Sequence, residues 1–170
     1  DEGTLTIEQT QENKDKEIGL FAFDLEIDVE DDGGWTTHTV RIEDKRHAAV
    51  FRCKGKPKQV RLDPRSKVLF GIEFNPGDDM LKRTLTGAED LRGRIWAAEE
   101  LVGTGTRANL RAVDEAMAKE PFWGVRAAVA EALGKSGAAE AIGPLAAMLD
   151  REEDPRAKRF VAKGCGAMRD

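Results

Sequence analysis

The first half of the chain alternates apolar and polar residues with a period of two. From residue 21 to residue 29 every second side chain is apolar, and most side chains between them are carboxylates. The apolar members are Phe21, Phe23, Leu25, Ile27 and Val29. Residues 31–34 tolerate positive φ angles, and a second β-prone segment follows at residues 36–42. The pattern predicts a β-hairpin that covers a core with one face.

Four other short segments also have the composition of strands. They lie near residues 5–9, 48–52, 59–62 and 68–74. Turn residues separate several of them, at residues 54–57 and 63–66. About six short antiparallel strands of this kind predict a small β-sandwich.

The second half has the 3.6-residue period of amphipathic helices, and a longer repeat of 32 residues lies over it. Second helices of each repeat are expected near residues 107–119 and 138–150. Their predicted inward side chains are Leu110, Val113, Met117, Ile142, Leu145 and Leu149. The positions that match at a spacing of 32 are Arg94, Arg126 and Lys158; Ala98, Ala130 and Ala162; and Leu101, Leu133 and Cys165. The third copy should start with Asp154 as N-cap and Pro155 as first helical residue. Helical hairpins repeated in this way predict a solenoid.

Composition divides the chain in the same place. Residues 1–86 contain 3 alanines and 18 Val, Ile or Thr, whereas residues 87–170 contain 19 alanines and 9 of those β-branched residues. The fold class predicted is therefore α+β. We expect a β-sandwich domain at residues 1–76, a linker at residues 77–87 and about two and a half helical repeats at residues 88–170. Residues 86–89 resemble a capping box for the first helix.

Charge excludes several classes of function. With 27 Lys and Arg against 32 Asp and Glu, the net charge is -5, which does not favour nucleic acid as a partner. No apolar stretch is long enough to cross a bilayer, so no membrane association is expected.

Cys53 and Cys165 are far apart and are expected to be reduced, which suggests a cytoplasmic location. The chain starts without methionine and ends within a predicted helix, so we expect a piece of a longer protein.

Metal sites and nucleophiles have little support in the sequence. His38, His47 and Cys53 lack the spacing of a zinc site. The acidic run at residues 24–32 lacks the spacing of a calcium loop and is better explained as a solvated strand face. Cys165 takes the place of Leu133 and is expected to be a small core residue. We therefore expect no catalytic residue, metal ligand or cofactor in this chain.

Two sets of residues remain as candidates for binding. Trp96, Phe122 and Trp123 either fill space between repeats or dock the array on a neighbouring domain. Packing is favoured for Trp96, and both roles stay open for Trp123. One cation recurs in each repeat at the same position: Arg94, Arg126 and Lys158. These side chains either form a hydrogen-bond ladder between repeats or bind a ligand on the concave face, and the ladder is favoured.

Residues 120–134 resemble a HEAT repeat. The resemblance rests on the Glu120-Pro121 start, the Val125-Arg126 pair, an Ala- and Leu-rich helix and the closing Gly134. A sandwich with segments at residues 5–9 and 60–64, followed by residues 91–94 and a HEAT-like array, looks like the region downstream of the catalytic domain in the aminopeptidase N family of zinc metallopeptidases.

That second resemblance implies an accessory, non-catalytic fragment. The family's His-Glu-x-x-His zinc helix is missing, so this chain alone should not be an enzyme. The resemblance implies a parent that removes N-terminal residues from peptides with zinc, and an upstream catalytic domain as this fragment's partner. The fragment would brace that domain and limit access to its cleft. The alternative is a HEAT-repeat scaffold that binds other proteins through the helical array.

Overall fold

The computed structural model of the protein describes residues 2–11 and 19–168. The fold is α+β, with antiparallel strands in the first part of the chain and helices in the second. The two parts form separate compact units, and the division falls between Pro76 and Gly77.

Five strands make up the described part of the first unit, in two antiparallel sheets. In one sheet β1 pairs with β4, and in the other β2 lies between β3 and β5. The strands are β1 (Glu2–Glu8), β2 (Phe23–Asp31), β3 (Gly34–Ile42), β4 (Arg46–Arg52) and β5 (Gln59–Leu62). Buried side chains from both sheets form one core, with Ile27 of β2, Ile42 of β3 and Phe51 of β4 among its members. The predicted sandwich and its β2–β3 hairpin are confirmed.

The predicted strand at residues 68–74 does not form. Its side chains still alternate between half-buried and exposed, but no strand pairs with this segment. The carboxylate of Asp63 accepts hydrogen bonds from the backbone N–H groups of Lys67 and Val68, so a local turn replaces a sheet ladder at the start of the segment. The prediction that Phe21 lies on the apolar face of this strand is also wrong, because Phe21 precedes β2 and is exposed.

Six helices in two layers make up the second unit as far as the structure describes it. They are α1 (Asp78–Gly87), α2 (Leu91–Thr104), α3 (Arg107–Met117), α4 (Trp123–Ser136), α5 (Ile142–Arg151) and α6 (Pro155–Ala167). A short 3₁₀ turn, Ala139–Ala141, precedes α5. Helices α2, α4 and α6 pack side by side in one layer, and α1, α3 and α5 form the other. None of the described helices is long and apolar enough to cross a membrane.

Helix α1 occupies the segment that was predicted to be a linker. Its Leu81 is buried and lies 32 positions before Val113 of α3, which lies 32 before Leu145 of α5. The repeat therefore begins one helix earlier than predicted. The predicted capping box is also wrong, because Asp90 accepts the hydrogen bond from the backbone N–H of Gly93 and caps α2.

The predicted helix boundaries within the repeats are mostly confirmed. Gly105 ends α2 in the left-handed region with φ 64°, and Thr106 caps α3, so the connection between the two helices is two residues long. Asp154 and Pro155 start α6 as predicted. Ile142 is the exception among the inward side chains: it is 53% exposed, because no described helix packs beyond α5 in its layer.

Asn109 joins α1 to α3. The side chain is fully buried, and its Nδ2 donates to Oδ2 of Asp78 and to Oγ1 of Thr104, both at 2.7 Å. Because an amide supplies both donors, a carboxylate at this position could not replace it.

We expect Asn109→Asp to destabilise the helical unit by about 2 kcal/mol at neutral pH, since two carboxylates would then face each other in a buried place. The loss should shrink as the pH falls and the pair takes up a proton. Urea unfolding followed by circular dichroism at neutral and acidic pH measures both effects. A loss of equal size at both pH values would contradict the explanation.

Candidate functional site

The histidines and cysteines do not form a metal site in the described residues. The ring of His38 packs at a tilt of 48° against that of Phe51 with centroids 4.6 Å apart, and His47 lies on β4 opposite Ile7. Cys53 is buried in the sandwich core. Within the described ranges, no group of three His, Cys, Asp or Glu residues has a geometry that could hold a metal ion.

The acidic face of β2 is paired with basic side chains. Glu26 accepts hydrogen bonds from Lys67 and from Arg65, and these bonds, with that of Lys67 the larger influence, hold the pKa of its carboxyl group below the usual value. At Asp28 desolvation is the largest single influence and raises the pKa of the carboxyl group. The hydrogen bonds from Arg65, whose Nη2 lies 2.8 Å from Oδ1, and from Thr37 together outweigh it, so that pKa is also lowered. These ion pairs join β2 to the loop after β5.

Arg94 connects its own helix to the start of the next repeat. Its Nε donates to Oε2 of Glu120 at 2.8 Å and its Nη2 to Oε1 at 3.2 Å, in a bidentate pair that is largely buried. Its Nη1 donates to the carbonyl oxygens of Ala88 and Glu89, both at 2.9 Å. Arg94 therefore holds both loops that flank its repeat.

Arg126 repeats this arrangement one unit later. Its Nε and Nη2 donate to Glu152 at 2.7 and 2.8 Å, and its Nη1 donates to the carbonyl oxygens of Glu120 and Pro121. Hydrogen bonding from Arg126 lowers the pKa of the Glu152 carboxyl group, against the opposing effect of burial. We call Arg94, Glu120, Arg126 and Glu152 the arginine–glutamate ladder. In each guanidinium Nε and Nη2 donate to a ladder glutamate and Nη1 donates to loop carbonyl oxygens, so neither group has a nitrogen left without a partner for a ligand.

Lys158 has the third position of this row but a different environment. It is exposed on α6, and no ion pair of its side chain occurs in the described part of the chain. A lysine also lacks the fork of donors that makes the bidentate pairs of Arg94 and Arg126 possible.

The aromatic residues lie in two different environments. Trp96 is partly buried and packs against the helical core. Phe122 and Trp123 lie at the start of α4, with ring centroids 5.7 Å apart. The guanidinium carbon of Arg156, from α6, lies 4.2 Å from the ring centroid of Trp123, in a cation–π contact. We call Phe122, Trp123 and Arg156 the aromatic edge.

Phe122 occupies a position that belongs to an aspartate in the other two repeats. Asp90 caps α2 and Asp154 caps α6, whereas Phe122 is the N-cap of α4 and makes no side-chain capping bond. Its ring lies over the backbone of Gly124, where a Cβ atom would be 2.5 Å from Cε1 of the ring, and the residue as a whole stays 39% exposed. The capping position of Phe122 was not predicted from the sequence.

Sequence reasoning also missed the acidic partners of the ladder. Glu120 and Glu152 are buried, and they lie 32 positions apart like the arginines they bind. The same spacing that identified the row of cations was therefore available to identify its counter-ions.

Comparison with known proteins supports the helical part of this description. A profile of HEAT repeats matches residues 79–167, slightly more than half of the chain. No match to a curated protein was found. The matched range starts in α1 and ends in α6, so it covers both helical layers. By this match, the chain belongs to the HEAT-repeat family.

Proposed function

We propose that the chain is a protein-interaction scaffold whose partner binds the aromatic edge. HEAT repeats are helical repeat scaffolds, and stacked repeats offer extended surfaces to other proteins. The observation that carries the proposal is Phe122 at the N-cap of α4, in place of the aspartate that caps α2 and α6.

The energetics of capping support this proposal. An aspartate N-cap stabilises a helix by about 1 kcal/mol, and α4 lacks that contribution while it leaves a large aromatic ring exposed. Trp123 is held in place by Arg156, so its ring loses little conformational freedom on binding. Rigid aromatic side chains next to an arginine are the residue types that contribute most to binding energy at protein interfaces.

An accessory role in a zinc aminopeptidase, with the upstream catalytic domain as partner, stays a prediction. Neither the described structure nor the comparisons support it, and the scaffold has the better support from the HEAT match.

The test separates binding from stability with one substitution. Phe122→Asp would recreate the arrangement at Glu152 and Asp154, where the N–H of residue 154 donates to the glutamate and the aspartate caps the helix. We expect stability within about 1 kcal/mol of the parent chain, because the new cap offsets the lost ring packing. Capture of the partner from extract of the source organism should fall at least tenfold, as it should for Trp123→Ala.

Leu91 provides the matched control. It has the position of Trp123 in the first repeat, is 42% exposed and lies outside the aromatic edge, so Leu91→Ala should leave capture unchanged. Undiminished capture by both Phe122→Asp and Trp123→Ala, with the fold intact by circular dichroism, would reject the aromatic edge as the binding surface.

A further inference from the structure

A groove of about 500 Å³ lies between α3 and the start of α5. Arg107, Leu110 and Arg111 line its α3 side, and Ala139, Gly143 and Pro144 line the other. We propose that this groove binds an acidic peptide segment of a partner protein, with peptide carboxylates on Arg107 and Arg111 and the peptide main chain against Gly143. The proposal rests on the proposed scaffold function, but it uses different helices from the aromatic edge.

Gly143 is the first observation that points to a ligand. Glycine is a poor helix residue, and Gly143 lies in the first turn of α5. A Cβ atom built there would meet nothing within 4 Å, so no packing inside the chain requires glycine. A position without a side chain in the wall of a groove allows the main chain of a bound peptide to approach closely.

The charges of the α3 wall are the second observation. Arg107 and Arg111 are one helical turn apart and therefore lie on the same face. Arg107 makes no ion pair within the described ranges, and Arg111 pairs only with Glu115 across a highly exposed contact of 2.8 Å. Exposed pairs of this kind contribute little energy, so a peptide carboxylate can replace Glu115.

The acidic groups around the groove leave this wall positive. Asp114 is paired with Arg151 at 2.7 Å, and Arg151 also donates to the carbonyl oxygen of Asp114 at 3.2 Å, so this carboxylate is already compensated. Glu140, on the opposite side, is the remaining acidic group of the lining. An acidic segment would therefore orient with its carboxylates towards α3.

The apolar floor favours a peptide over a nucleic acid. Exposed Ala139 and half-buried Pro144 offer a surface for a small aliphatic side chain. No aromatic residue lines the groove on which a base could stack. The net charge of -5 for the whole chain also opposes a polyanion of many phosphates.

The experiment uses the full chain and a fluorescein-labelled peptide of glutamate, leucine and glycine, with a lysine-for-glutamate version as the control peptide. Fluorescence anisotropy should show saturable binding of the acidic peptide that weakens as salt increases. Arg107→Glu combined with Arg111→Glu should raise Kd at least tenfold, because two ion pairs become repulsive contacts. Both arginines are exposed, so the fold should be kept, and circular dichroism checks this.

A second variant tests the shape of the groove without changing its charge. Gly143→Leu should also raise Kd, since the new side chain would occupy the groove while open space around it leaves the fold intact. Binding that survives both variants would overturn the proposal. So would equal binding of the lysine peptide, no saturable binding of the acidic peptide, or tighter binding of uridine homopolymer RNA that the same variants abolish.

Phe122→Asp distinguishes this proposal from the proposed function. That variant should bind the acidic peptide as the parent chain does, because Phe122 does not line the groove. If the parent chain binds the peptide and both Phe122→Asp and Trp123→Ala still capture the partner as the parent does, the aromatic edge alone is rejected. Loss of partner capture by Phe122→Asp, with no peptide binding by the parent chain, would reject the groove alone.

Discussion

Replacing Gly164 with valine is expected to destabilise the helical unit by about 3 kcal/mol. Helices α4 and α6 cross at Gly134 and Gly164, where a Cβ on Gly164 would lie 2.6 Å from the carbonyl oxygen of Ala130. A Cβ on Gly134 would lie 2.6 Å from Cα of Gly164. These neighbours are backbone atoms and cannot rotate away, so the two helices would have to separate and lose packing against each other.

Gly166 is the matched control on the same helix. A Cβ there would meet nothing within 4 Å, so Gly166→Ala should not destabilise α6; because the position lies in the last turn of the helix, the gain from helix propensity should be less than about 1 kcal/mol. Urea unfolding followed by the helical circular dichroism signal compares the two variants with the parent chain. If Gly164→Val unfolds at the same urea concentration as the parent, the crossing is looser than its geometry indicates.

Replacing Arg126 with methionine should cost about 3 kcal/mol, since it leaves the carboxylate of Glu152 buried without its cation. The side chain of Glu152 is only 3% exposed, so water cannot take the place of the guanidinium. A second substitution, Glu152→Met, in the Arg126→Met background should recover most of the loss, because the pair is then replaced by apolar side chains. Lys163→Met, which breaks an exposed pair with Glu131, should change stability by less than about 0.5 kcal/mol.

The contribution of Glu152 to the free energy of unfolding should change with pH in opposite directions in the parent chain and in Arg126→Met. In the parent, Arg126 lowers the pKa of Glu152, so the contribution of this pair is present at neutral pH and is lost as the pH falls through the lowered pKa. In the variant, burial without the cation raises that pKa, so the deficit should be largest at neutral pH and shrink on acidification. Urea unfolding at several pH values measures both trends, and a deficit that does not change with pH would show that Glu152 is not the cause.

The helical repeats were predictable because the sequence has the same residue at a spacing of 32 at several positions. Arg94 and Arg126, and likewise Leu101 and Leu133, are identical at a spacing of 32. Helix α1 was missed although Leu81 continues the same spacing, because Pro76 and Gly77 indicate a turn and the composition up to residue 86 is that of the β unit. A local signal for a linker thus outweighed a weaker long-range signal for a repeat.

Features that depend on which segments meet in space were harder to predict from the sequence. An alternating pattern at residues 68–74 predicts a strand, but a strand also needs a partner, and the sequence does not say whether one is available. The groove depends on two helices whose walls come from separate repeats, and its size follows from small residues such as Ala139 and Gly143 that carry no chemical signal of their own. That Phe122 replaces a capping aspartate can be seen only once the first residues of α2, α4 and α6 are known.

The place of α1 has a consequence for how such an array changes length. Helices α1, α3 and α5 each precede a helix of the other layer, so the unit can be divided into three pairs, α1–α2, α3–α4 and α5–α6, in which the same layer always comes first. Duplication or loss of one pair in the gene would keep every remaining helix in its own layer, whereas loss of a single helix would reverse the direction of all that follow. Because each arginine of the ladder binds a glutamate of the next pair, a duplicated pair would bring its own link to the array.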